Sequence, residues 1–257
     1  LAVDARCPEC GQEVLASVFA AVDPEADRWP PLPRPRASGL ALFALVVATG
    51  CAIALSILLD PRFPGPGDGT GGWGGTPELR RGLSATAIGA SLGAAAAAFR
   101  LVLLFGARFR FARRRLAGTA LLLMPAVAVV PAWGSGPPLL AASLLLWALD
   151  PFVRELGARS VRFRRGGAAR QPTGTLALAT GLAGLAATIR SILPPASDAD
   201  WIVAIASIVL AGLACLGFGY LALNTVWIAR SLALRGSLTA DGSAELARIV
   251  RFPPEDA

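Results

Sequence analysis

GLALFALVVATGCAIALSILL, residues 39–59, runs for 21 positions without a charged side chain. An α-helix rises about 1.5 Å per residue, so about 20 apolar residues cross the roughly 30 Å hydrocarbon layer of a bilayer. This stretch meets that length, and Asp60-Pro61 ends it. The whole chain points the same way. Of its 257 residues 54% are hydrophobic and only 16% are charged, and the mean hydropathy is +0.59, too apolar for a soluble domain.

Working outward, five more apolar runs are separated by polar or arginine-rich segments: 82–106, 116–134, 137–153, 174–193 and 201–229. The second is alanine-rich. The third carries Pro125 and Pro131, and the sixth is long enough to tilt. The expected fold class is therefore all-α, a polytopic membrane protein with six transmembrane helices. Residues 1–38 form an N-terminal arm ending in the Pro-rich RWPPLPRPR, and residues 230–257 form a C-terminal tail. In the tail, Asp241 or Ser243 is placed to cap a short amphipathic helix with Leu246, Ile249 and Val250 on one face.

Arginine placement sets the orientation. All 24 basic residues are arginine, a bias that GC-rich codon use produces. Under six spans, four lie in the N-terminal arm, five after the second span, six after the fourth and four in the C-terminal tail. These nineteen fall on one side, against Arg62, Arg80 and Arg81 on the other. Positively charged loops stay in the cytoplasm, so both termini are expected there. Fusing the third and fourth runs into one span would put the two richest arginine loops on opposite faces. In this setting the net charge of +7 speaks for topology and anionic lipid, and no nucleic-acid partner is expected. With 38 polar and Pro-rich residues ahead of it, the first span is expected to act as its own insertion signal.

Chemistry is scarce. The chain has no histidine, which removes a rhomboid-type serine protease and an HExxH zinc protease. All seventeen acidic residues lie outside the span interiors, whereas proton- and sodium-coupled transporters commonly keep a carboxylate or histidine within them. No enzymatic activity is expected. The candidates for an anion or polar site are Arg100 and Arg190, near span ends where each can also snorkel to an interface, and Asn224, which can also hydrogen-bond across helices. On the second span Ala85, Gly89, Gly93 and Ala97 recur every four residues, as do Ala179, Ala183 and Ala187 on the fifth. Such faces let helices approach closely, within one chain or between copies in a homo-oligomer or larger membrane complex.

The N-terminal arm carries one metal-ligand pattern, Cys7-Pro8-Glu9-Cys10-Gly11. Structural zinc takes four ligands, and this knuckle presents two. Cys51 and Cys215 lie within spans, out of its reach. LAVDARCPECG resembles the second half of the paired N-terminal CxxC zinc ribbon that precedes the spans of certain multi-pass membrane proteins of high-GC bacteria. The resemblance covers about eleven residues. It implies a bacterial inner-membrane protein with a small zinc-binding cytoplasmic head, and no particular reaction. The missing pair of ligands is expected before Leu1 or on a second copy of the chain.

The expected function is that of a structural, assembly or regulatory membrane component, and the alternative is a transporter or channel for a small or anionic solute. If two copies share one zinc, metal analysis of the purified protein will find about one zinc per two chains, lost in Cys7→Ser and in Cys10→Ser. A zinc-free wild type would remove the metal from this account.

Overall fold

The computed structural model describes residue 32 and residues 34–62, 76–105, 110–160, 163, 172–194 and 197–240. Among these, seven helices and no strands form: α1 (Pro35–Leu59), α2 (Pro77–Leu104), α3 (Arg110–Ala128), α4 (Val130–Trp133), α5 (Gly136–Gly157), α6 (Thr173–Ile192) and α7 (Asp198–Ala240). Five are long and apolar enough to cross a membrane: α1, α2, α5, α6 and the Asp198–Ala233 part of α7.

Local chemistry accounts for where the helices begin and break. At the start of α2, Thr76 Oγ1 accepts the Leu79 N–H at 3.3 Å, Pro77 occupies the first turn and Glu78 faces the positive end of the helix dipole. These residues add a full turn before Gly82, where the apolar run begins. The third apolar run divides in two. Pro131 has no N–H to give the Val127 carbonyl, so the chain turns at Val129 and restarts as α4. Helix α3 also reaches back to Arg110, beyond the apolar run, and takes in Arg113, Arg114 and Arg115. At the other end of the chain α7 continues unbroken to Ala240, so residues 230–240 extend the last helix. The amphipathic stretch expected after Asp241 lies outside the described residues.

The helices close into a ring. Helix α1 packs against α2 and α7, α2 against α3, α3 against α5, α5 against α6 and α6 against α7, while α1 also meets α5 across the middle. Side-chain bonds gather at two ends. At one, the end of α1 meets the starts of α2 and α5, and the end of α6 meets the start of α7. At the other, Arg36 Nε at the start of α1 donates to the Ala233 carbonyl of α7 at 3.0 Å. There too, Ser160 beyond α5 bonds Ser231 of α7. Successive long helices therefore run in alternating directions between an acid-clasped end and an arginine-bearing end.

Small residues face inward, and large apolar ones face outward as well as inward. On α7, Ala204, Ser207, Ala211 and Ala214 are buried, whereas Ile202, Ile205, Val209 and Leu216 are exposed. This inversion suits a lipid exterior, where close backbone approach replaces exclusion of water as the driving force. Buried hydroxyls make few demands on their neighbours. Thr49, Ser56 and Thr180 each donate to the carbonyl four residues back at 2.7 Å.

Helices α5 and α6 approach each other closely. A Cβ added at Gly184 would lie 2.9 Å from the Leu140 backbone nitrogen. By contrast Gly89, in the small-residue repeat of α2, has open space around it. Helix α2 packs inward instead through Ala87, Ser91, Ala94, Ala97 and Ala98, so within that repeat only Ala97 is buried. Gly184→Ala is expected to cost about 1–3 kcal/mol by overpacking. Gly89→Ala is expected to be neutral or to gain up to about 1 kcal/mol from helix propensity. Denaturant unfolding in micelles, followed by far-ultraviolet circular dichroism, measures both.

Candidate functional site

Polar side chains with partners beyond their own helix cluster at the two ends. At the acid-clasped end, Asp60 is only 4% exposed. Its Oδ2 accepts from both the backbone N–H and the hydroxyl of Ser135, each at 2.7 Å, and its Oδ1 accepts the Arg62 N–H at 3.0 Å. Three donors replace the water that a carboxylate would otherwise hold. The geometry depends on Gly134, whose φ of 71° places it in the left-handed region and whose added Cβ would meet Asp60 Oδ2 at 2.9 Å. Ser135 precedes α5 without capping it through its own side chain, so the negative charge at this helix start comes from α1. Two arginines complete the corner: Arg80 Nη2 donates to the Leu59 carbonyl at 3.4 Å and Arg62 Nη2 to the Ser191 carbonyl at 3.0 Å.

The arginine-bearing end repeats the device. Asp150, within α5, accepts the Thr173 hydroxyl at the first residue of α6 and pairs with Arg154 Nε at 2.7 Å. Pro172, the cap residue of α6, has no side-chain donor or acceptor, so a carboxylate from a neighbouring helix again serves the helix start. An open cleft of about 750 Å³ lies here, with Asp150, Arg154, Phe163 and Thr173 among its walls. Deeper in, Arg159 pairs with Glu155 at 2.8 Å, both largely buried, and Phe163 fills the space that Gly157 leaves open.

The residues singled out from sequence do not converge. Arg190 Nε donates to Asp200 Oδ1 at 3.2 Å across the α6–α7 junction. Asn224 is fully buried on α7, and the 24 residues between it and Asp200 span about 36 Å. Arg100 is exposed on α2. Neither the 750 Å³ cleft nor a smaller one bounded by Leu59, Arg80 and Val130 is lined by any of the three. Tyr220 points outward while Asn224 and Thr225 point in. Cys7 and Cys10 lie outside the described residues. Cys51 and Cys215 are exposed on the flanks of the ring, and among the described residues no group of three or more His, Cys, Asp or Glu side chains comes together.

Asp60 and Asp150 carry more of the architecture than their positions before proline announced. Their signal was the repeated Leu-Asp-Pro at 59–61 and 149–151, too short to establish an internal repeat; it ends α1 but lies inside α5.

No protein-family model, curated protein or solved structure matches the chain significantly. Asp60→Ala strands the Ser135 N–H and hydroxyl, at about 1–3 kcal/mol for each buried group left unpaired. Unfolding in micelles is expected to show that loss, whereas Glu78→Ala, at an exposed helix start, is expected to cost less than about 1 kcal/mol.

Proposed function

We propose that the chain is a six-span protein of the bacterial inner membrane that serves as a structural, assembly or regulatory component. Both ends of the described chain face the cytoplasm in this reading. The observation that carries it is the use made of the polar groups: Asp60, Asp150 and Arg190 join helix to helix, and neither described cleft reaches all the way to Arg100, Arg190 and Asn224. A solute path needs polar groups lining one continuous route. This ring spends its own on closure.

Several features support six crossings. Helix α3, continued by α4, occupies the sixth place in the ring and runs between the same two ends as its neighbours. Its four arginines all lie in its first turn and a half, at the end of the ring that also carries Arg36 and Arg159. Trp133 and Trp201 are exposed at the opposite end, at interfacial depth for this orientation. The zinc head, carried by Cys7 and Cys10, belongs to the same cytoplasmic side. The outward small-residue surface of α2, with Ala85 and Gly89, is the place for a second copy or a larger complex to pack.

Two measurements test the reading. Single cysteines placed at residues 108–115 are expected to react with impermeant thiol reagents only from the cytoplasmic side. Labelling from outside would overturn the orientation. In proteoliposomes, chloride and phosphate flux is expected to stay within twofold of empty vesicles (about the scatter that 0.4 kcal/mol represents). Flux well above this that is lost in Arg190→Gln would make the protein an anion transporter.

A further inference from the structure

Resting on the proposed orientation, the geometry points to a site for an anionic phospholipid headgroup on the outer flank of the ring, where Arg115 of α3 stacks on Trp147 of α5; we propose that the lipid phosphate is the counter-charge of this arginine.

The guanidinium carbon of Arg115 lies 4.9 Å from the centroid of the Trp147 ring. Both residues are exposed, Trp147 at 57%. Stacking orients the flat guanidinium and leaves its edge of N–H donors free, the arrangement that meets two phosphate oxygens at once. Among the described residues no carboxylate pairs with Arg115. The nearest acid along α5, Asp150, is already engaged by Thr173 and Arg154. Arg190 and Arg159, by contrast, each have a carboxylate of their own. A cation exposed on a surface that faces lipid has to find its anion there, and phosphate is the anion the bilayer supplies.

Depth and shape agree with this occupant. Trp147 lies three residues before Asp150, about 4.5 Å toward the middle of the ring, so the stacked pair sits just inside the level where polar groups clasp α5 to α6. Indoles favour that boundary. Below the cation the surface turns apolar, with Leu144 and Leu122 exposed. Gly118, one turn along α3 from Arg115, leaves open space for an acyl chain. Arg114 is exposed beside it and adds to the positive field.

The test uses the full chain in phosphatidylcholine nanodiscs containing either brominated phosphatidylglycerol or brominated phosphatidylcholine, with tryptophan quenching as readout. The part of the signal lost in Trp147→Phe reports on this site. One arginine near an anionic surface corresponds to about a fivefold preference, so phosphatidylglycerol is expected to quench Trp147 with about five times the apparent affinity of phosphatidylcholine. Arg115→Gln is expected to bring that ratio to about one, and Arg230→Gln, across the ring on α7, to leave it unchanged. Millimolar inorganic phosphate is expected not to compete, and competition would point to free phosphate as the ligand. Equal quenching by the two lipids in the wild type, or a ratio unaffected by Arg115→Gln, would overturn the site. If neither lipid quenches Trp147, the membrane-facing placement of this flank fails instead.

Discussion

A carboxylate withdrawn from water must be met by donors, and the bonds around Asp60 are where that requirement shapes the ring. Asp60 ends α1, and its partner Ser135 opens α5. The bond therefore reaches over α2, α3 and α4 to join the first and second halves of the chain at one point. Because both donors of Ser135 converge on one oxygen, the chain must turn through Gly134 at positive φ, and α4 must end where it does. Arg62 and Arg80 extend the corner to α6 and α2 through backbone carbonyls. In a setting poor in water each of these groups would be expensive to leave alone. Together they make one joint.

The same logic explains why the interior is chemically quiet. The hydroxyls of Thr49, Ser91, Thr180 and Thr225 return to their own helices, so the core reads as apolar even where the side chains are not. What holds the helices together laterally is fit. Gly39 against the Ala229 backbone and Gly184 against Leu140 bring helices closer than any larger side chain permits. The polar groups with partners on other helices serve mainly to decide which ends meet.

Much of the fold was legible in the sequence because crossing lipid imposes a length and an apolar composition that few other constraints mimic. The cores of all the long helices coincide with apolar runs read from hydropathy alone. Their ends were harder to read, since an end is set by caps and partners. Thr76 begins α2 within a stretch that reads as loop, and Pro131 breaks a run that reads as one span. The small-residue repeat on α2 was visible, but the buried face is rotated from it and runs through Ala87, Ser91 and Ala94. Of the polar candidates, Arg190 was recognisable, yet its partner Asp200 lies ten residues away beyond a turn. The stacking of Arg115 on Trp147 joins residues 32 positions apart. Neither pairing has a periodic signature.

Ring closure also carries a consequence in time. The face of α1 that holds Gly39 is covered by α7 through Ala229, 190 residues later in the chain. At synthesis rates of about 5–20 residues per second, the first helix waits roughly 10–40 seconds after synthesis before its last neighbour exists. During that interval its glycine-lined flank has to be shielded by lipid or by another protein. The slow step of assembly is then the arrival of α7, and the vulnerable species is an open arc of five helices with a gap where the sixth belongs.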